Sequence, residues 1–281
     1  MIDLHTHSTA SDGTLSPAAV VERAAGLGLH AVALTDHDTA DGVAEALDAG
    51  TRCGIEVIPG IEMSCVWNGT EIHLLGYFLN AESSAFREDL RFFREQREER
   101  NNTILDNLAE DGILLNREEL CFGRPDTVIT RAHFARLLTE KGYVRQPKDA
   151  FQNYLAYGGR YVPTKDSLTP EAVMLFFRRN HIWSSLAHPA QYGLSEEALG
   201  ALLGALRPLG LRGIEVWHSA QDSLWSARLF NTARLLQLLP TGGSDFHGAA
   251  KPKIEIGSGF GGLRIQDRIL EAMKADYQSL P

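Results

Sequence analysis

The run His30-Ala31-Val32-Ala33-Leu34-Thr35 constrains the fold more than any other stretch of the chain. It follows a helix-like segment that ends at Gly28 and leads directly into Asp36-His37-Asp38. A strand that is apolar on both faces needs cover on both faces, which points to a parallel sheet flanked by helices. The same unit recurs along the chain. Before it, a short strand near residues 2–4 enters His5-Thr6-His7, and Ser16-Pro17 then opens a helix over Ala18 to Leu27. Ser16 is a capping hydroxyl, and proline is tolerated in a first turn because its missing N–H has no helical partner there. After it, a helix near Gly42 to Gly50 precedes a strand ending in Glu62, and Glu71 to Phe78 reads as a strand that carries His73. Later units deliver His188-Pro189, His218 and Ser244-Asp245-Phe246-His247. Seven strands result, near residues 2–4, 31–35, 55–61, 71–78, 182–187, 213–217 and 240–243. At 281 residues and 44% hydrophobic content, the chain suits one α/β barrel with an insertion.

The rhythm breaks between Ser83 and about Lys165. Phe86, Leu90, Phe93, Ile104, Leu105 and Leu108 make an apolar stripe, with Arg87, Arg91, Arg94, Arg97 and Arg100 set among glutamates. Most of those arginines read as a solvated, ion-paired helix face. The chain thus divides into a barrel, 1–82 and 166–281, and a helical insertion, 83–165, expected to contribute substrate-binding residues.

Metal-ligand chemistry gathers at the strand ends. In an extended backbone residues i and i+2 face the same way, so His5 and His7 can address one ion, with Asp12 curling back over it. The C-terminal ends of parallel barrel strands share one rim, where active sites form. His5, His7, Asp12, His37, Glu62, His73, His188, Asp245 and His247 are therefore expected to converge. Nine such groups exceed the needs of one ion and suit two or three with a shared carboxylate.

Composition narrows the function. A net charge of −9 argues against gripping long duplex nucleic acid, which needs a broad basic face. It leaves room for a small anionic substrate held by local arginines and metals. Cys53, Cys65 and Cys121 have no pairing pattern and read as reduced thiols. No signal peptide or membrane-spanning run is visible, so a soluble cytoplasmic protein is expected, with no membrane and no protein partner.

The motifs Asp3-Leu4-His5-Thr6-His7-Ser8, Ser11-Asp12-Gly13, Leu34-Thr35-Asp36-His37-Asp38, Gly60-Ile61-Glu62, Ile72-His73-Leu74-Leu75-Gly76-Tyr77, Ala187-His188-Pro189 and Gly243-Ser244-Asp245-Phe246-His247 resemble the polymerase and histidinol phosphatase (PHP) family of the amidohydrolase-like superfamily. The resemblance implies a distorted (β/α)7 barrel with a trinuclear metal centre. It assigns His5, His7, Glu62 and Asp245 to one ion. A second ion shares Glu62 and adds His73 and His188, and a third takes Asp12, His37 and His247. Some family members carry histidine where this chain has Asp12, a difference that bears on metal preference. Ile129-Thr130-Arg131-Ala132-His133-Phe134-Ala135 and Gly158-Gly159-Arg160-Tyr161-Val162-Pro163 resemble a subgroup that acts on nucleotides. That subgroup includes phosphatases that take the 3′-phosphate from nucleoside 3′,5′-bisphosphates, and exonucleases that trim short RNA from its 5′ end.

Imidazole and carboxylate donors without thiolate fit Mn²⁺, with Fe²⁺ or Zn²⁺ as alternatives. The expected reaction is attack of metal-bound hydroxide on a phosphomonoester, with Glu62 holding two metals together. Arginine matches phosphate geometry, so Arg131 and Arg160 are candidate phosphate contacts, and Ser8 is a candidate donor. His133 and His218 are candidates to protonate the leaving oxygen. Asp36 and Asp38 are candidate partners for ligand histidines, and His30 and His181 read as structural. The leading expectation is conversion of a nucleoside 3′,5′-bisphosphate (pAp to AMP plus phosphate). Alternatives are a short-RNA 5′-3′ exonuclease, a histidinol phosphatase and a non-catalytic metal-binding module.

Overall fold

The computed structural model describes residues 1–163 and 168–280. Seven strands, β1 (Ile2–Asp3), β2 (Ala31–Leu34), β3 (Glu56–Trp67), β4 (Thr70–Tyr77), β5 (Trp183–Leu186), β6 (Gly213–His218) and β7 (Leu239–Gly243), form one sheet in sequence order. The sheet curls until its edges nearly meet. Leu4 N–H donates to Gly242 O at 3.3 Å, and Asp245 N–H to His5 O at 2.8 Å. The approach is so close that a Cβ on Gly243 would lie 2.3 Å from His5 Cβ, so no larger residue fits there. Helices α1 (Pro17–Gly26), α2 (Val43–Cys53), α7 (Pro170–Arg179), α8 (Glu196–Leu206), α9 (Ser223–Leu236) and α10 (Asp267–Tyr277) accompany the barrel strands. Ser16, Thr169 and Ser195 each cap a helix, their hydroxyls accepting backbone N–H at 3.1–3.3 Å.

One expectation is corrected. The sheet is not parallel throughout, because β4 runs antiparallel to both β3 and β5. Asn68 and Gly69 make a two-residue turn with φ of +48° and +78°, and Trp67 pairs with Thr70 across it. Asn-Gly between two apolar runs is the sequence mark of such a hairpin, since both turn positions need positive φ. The reversal has a functional result. The hairpin pairs Ser64 with His73 and Glu62 with Leu75. Side chains two apart on a strand share a face, so Glu62, Ser64, Glu71 and His73 all project the same way. His73 therefore reaches the rim from within β4, and Glu62 from within β3, which runs on to Trp67 instead of ending at Glu62 as expected, whereas His5, His188 and Asp245 lie just beyond strand ends.

Residues 84–153 contain the helices α3 (Ser84–Glu110), α4 (Arg117–Leu120), α5 (Arg131–Glu140) and α6 (Pro147–Asn153). Helix α3 belongs to two cores. Phe86, Leu90 and Phe93 pack with Phe176 and Phe177 of α7, while Ile104 and Leu108 join a separate cluster confined to residues 104–162. The 165/166 boundary drawn from sequence lies outside the described residues. No helix among the described residues is long and apolar enough to cross a membrane.

Candidate active site

His5 and His7 leave β1 on the rim, where they meet Glu62 from β3 and Asp245 just after β7. His5 Nε2 lies 3.1 Å from His7 Nε2 and 3.3 Å from Glu62 Oε2. His7 Nε2 lies 3.2 Å from Glu62 Oε2 and 3.4 Å from Asp245 Oδ1, and His5 Nε2 is 3.7 Å from that same oxygen. Four donors arranged tetrahedrally about one ion at about 2.0–2.1 Å would lie about 3.3 Å apart. The fit is supported by the ring nitrogens themselves. His5 Nδ1 is 3.1 Å from Glu215 Oε1, which places the proton on Nδ1 and leaves Nε2 as a bare lone pair facing another imidazole nitrogen.

The other oxygen of Glu62 serves a second group. Oε1 is 2.8 Å from His73 Nδ1 and 2.9 Å from His188 Nε2. A third group lies on the Asp12 side, with Asp12 Oδ1 3.2 Å from His247 Nε2 and Oδ2 3.8 Å from His37 Nε2. His37 stands between groups, its Nδ1 being 3.2 Å from Glu62 Oε2. Nδ1 of His7, His37 and His188 and Nε2 of His218 are buried without hydrogen-bond partners among the described residues. Imidazole nitrogens and carboxylate oxygens that fall in groups of three or four within 4.8 Å of one another are what a divalent-cation site requires of its ligands. His188 (φ 25°) and Asp245 (φ 58°) also hold left-handed backbone conformations just beyond β5 and β7, strain of a kind that collects at functional sites.

Among the side chains alone, these charges distort titration strongly. Burial pulls the His7 pKa down, but hydrogen bonds to Asp245 and Glu62 and the charges of Glu62 and Asp12 outweigh it and raise it to about 9. His73 is likewise raised to about 9, Glu62 and Glu71 overcoming burial. At His188 burial wins and lowers the value to about 4. Glu62 and Asp12 resist burial because neighbouring histidines hold their carboxyls well below the usual range.

The cluster opens into a cavity of about 740 Å³. Arg97, Arg100, Arg124, Arg131, Arg136 and Lys251 all contribute to its wall. Arg97 is bound to Asp38, and Arg131 to Glu71. Arg100 lies 3.6 Å from Glu71, with Nε and Nη2 buried and unpartnered among the described residues, and burial together with the Arg97 charge lowers its pKa to about 10. Arg124 has no carboxylate partner among the described residues; its Nη1 donates only to Gly13 O at 3.5 Å. The cavity therefore offers metal-ligating groups at its floor and uncommitted cationic donors on its wall.

A family model described as the PHP domain matches residues 3–158. The chain belongs to the PHP domain family. The 5′-3′ exoribonuclease Rnm of Escherichia coli (strain K12) is 35% identical over 261 residues, which cover 91% of this chain and 87% of that one. The 3′,5′-nucleoside bisphosphate phosphatase of Chromobacterium violaceum is 33% identical over 265 residues, covering 91% and 90%. A candidate metal-dependent phosphoesterase from Bifidobacterium adolescentis, 28% identical, superposes with a TM-score of 0.83 over 98% of this chain and 95% of its own. With the side-chain groups above, this PHP chain is a metal-dependent phosphoesterase.

The nine side chains expected to converge do come together, and Arg131 and His133 reach the cavity. Others do not behave as expected. Arg160 lies off the cavity wall, exposed and paired with Asp111 at 2.6 Å, because the Gly158-Gly159 loop returns toward the end of α3 instead of toward the barrel mouth. Ser8 is fully buried, its hydroxyl donating to Asp36 Oδ2 at 2.6 Å, so it cannot serve substrate from the wall. His218 is buried beneath Asp245, with Nε2 3.3 Å from Asp245 Oδ2 and Nδ1 accepting from Ala220 N–H at 3.0 Å. It too is off the cavity wall. Asp36 binds Ser8 and Ser11, and Asp38 binds Arg97, so neither partners a ligand histidine. Arg97 is buried and Arg100 half-buried, so neither is a freely solvated surface residue.

Glu215 and Lys251 were missed, as was Arg124 on the cavity wall. Glu215, 0% exposed in the middle of β6, receives His188 N–H at 2.7 Å on Oε2 and contacts His5 Nδ1 through Oε1. A carboxylate inside the apolar run Gly213-Ile214-Glu215-Val216-Trp217 was the available signal, since an unpaired buried charge is untenable. Lys251 Nζ donates to Asp245 Oδ2 at 2.6 Å; nothing in its local sequence marks it.

Proposed function

We propose that the chain removes the 3′-phosphate of nucleoside 3′,5′-bisphosphates. The observation that carries this reading is the union, in one cavity, of a His/Asp/Glu floor and an arginine wall. A substrate with two phosphates on one ribose has an anion for each. In this reading residues 83–165 act as a cap on the barrel, and their arginines select substrates that carry a second phosphate. The relative with bisphosphate phosphatase activity in its name, aligned over 91% of this chain, supports it.

His5, His7, Glu62 and Asp245 would hold one divalent cation, Glu62, His73 and His188 a second, and Asp12, His37 and His247 a third. The nitrogen and oxygen donors suit Mn²⁺, with Fe²⁺ or Zn²⁺ as alternatives. Such ions supply a water ionised near neutral pH and positive charge over the phosphoryl oxygens. The chain's own groups do the rest. Glu62 uses its two oxygens on two groups and so sets their spacing. Asp245 turns Oδ1 to His5 and His7 and gives Oδ2 to Lys251, whose charge stands at the cavity edge. His133 accepts Thr130 N–H on Nδ1 at 3.0 Å, and burial lowers its pKa, so the neutral ring presents Nε2–H as a donor to bound phosphate or ribose oxygen. Arg131 and Arg124 bind the second phosphate.

A second reading, trimming of short 5′-phosphorylated RNA, is favoured by the exoribonuclease name of a 35% identical relative. Parallel assays with adenosine 3′,5′-bisphosphate and a 5′-phosphorylated trinucleotide separate the two. A kcat/KM at least tenfold higher for the bisphosphate supports the first reading, and the reverse order overturns it.

A further inference from the structure

The wall built by residues 122–151 differs chemically from the floor. Phe122, Ala132, Ala135, Pro147 and Phe151 give it an apolar surface, with arginines set among them. Phe122 is already committed. The Arg136 guanidinium lies 3.6 Å from its ring centroid, and the His133 ring is inclined to it by 27°. Phe151 is different. It remains 38% exposed although it lines the cavity, and no ring stacks on it among the described residues. Beside it stands Arg131, its guanidinium carbon 5.8 Å from the ring centroid. Arg131 is fixed from behind by Glu71 and by Leu155 O, 3.1 Å away, so the pair is preorganised. An exposed ring beside a held cation, in the same cavity as a phosphoester site, is a platform for a flat, electron-rich ligand.

We propose that Phe151, with Arg131 beside it, is the stacking site for the nucleobase of the substrate. The inference rests on the nucleotide reading above and adds where the base sits and how it is read. Thr130 is the one hydroxyl or amide side chain that this segment places on the wall. Its Oγ1 donates to Asp12 Oδ2 at 2.9 Å and accepts Ala132 N–H at 3.2 Å. The segment thus presents a flat face and cations but no free amide to discriminate base edges. Every base has a π-face, so recognition by stacking tolerates base identity.

The test compares adenosine 3′,5′-bisphosphate with its base-free analogue, the tetrahydrofuran 3′,5′-bisphosphate, on the metal-loaded enzyme. Wild-type enzyme binds the base-bearing substrate with the lower KM. Phe151→Ala raises KM for the adenosine substrate about tenfold, with kcat and the base-free KM within about twofold of wild type. Phe151→Trp restores the adenosine KM. Equal KM values for both substrates in wild type, or equal changes for both in Phe151→Ala, overturn the proposal. If wild type hydrolyses only the base-free compound, the base is excluded from the cavity and the stacking site is wrong. If it hydrolyses neither bisphosphate, the bisphosphate reading itself fails and takes the stacking site with it.

Discussion

The floor and the wall of the cavity are built on opposite principles. The floor collects residues far apart in sequence, His5 to His247, at the rim of a closed sheet, and nearly every polar atom there faces another ligand-type atom a few ångströms away. Its geometry is set by backbone hydrogen bonds between strands and by outer carboxylates such as Glu215. The wall draws most of its cations from residues 97–136, on α3, on α5 and at Arg124 between them, and sets all but Arg124 with individual ion pairs to Asp38, Glu71 and Glu140. A rigid floor suits bond cleavage, which tolerates little displacement. A wall of separately held arginines suits discrimination, because each can be altered without disturbing the chemistry.

That contrast is testable from the largest effect down. Glu62→Gln, which removes the carboxylate shared between groups, should lower kcat/KM by more than about 10³-fold on every phosphoester, with metal content falling in parallel. Steady-state kinetics with elemental analysis check it; a variant that keeps its metal and most of its activity would break the idea of a shared bridge. Glu215→Gln should weaken metal affinity by about 10–100-fold through loose His5 and His188, while circular dichroism stays unchanged. Titration calorimetry reads this directly, and unaltered affinity would reduce Glu215 to a core residue. Arg131→Ala should raise KM for a bisphosphate by about 10–100-fold and scarcely change p-nitrophenyl phosphate hydrolysis. Equal losses on both substrates would place Arg131 with the floor and dissolve the comparison. Chelation should lower Tm by several degrees, since ions that bind only the folded state stabilise it; a thermal melt with and without chelator measures this. Smallest of all, Arg160→Ala should leave both KM values within about twofold, because an exposed pair with Asp111 contributes little.

The floor was more legible than the wall for a physical reason. Metal chemistry restricts ligands to a few residue types, and a barrel restricts where they emerge, so His5, His7 and His188 could be read from strand ends, although Glu62 projects from the middle of β3. Arginine is common on solvated helices, so nothing local separated Arg97, which is buried, and Arg100, which is half-buried, from Arg87 and Arg91, which are exposed. Arg160 shows the converse. Its glycine-rich loop invited a phosphate role, and only the path of the chain back to Asp111 ruled that out. The antiparallel β4 was written in Asn68-Gly69, a local signal overlooked because the surrounding βα rhythm suggested parallel strands.

What the sequence determined by itself was periodic and local: seven apolar strands, the caps at Ser16, Thr169 and Ser195, and the residue types available at each strand end. These follow from side-chain period, backbone φ limits and donor chemistry, all readable within a few residues. Tertiary structure alone decided which atoms meet. It set Glu62 between His5, His7, His73 and His188, slid Glu215 behind His5, buried His218 under Asp245, and left Phe151 open beside Arg131. Those contacts depend on sheet closure, on the reversal of one strand and on the packing of α3 across two cores, and these are properties of the whole chain.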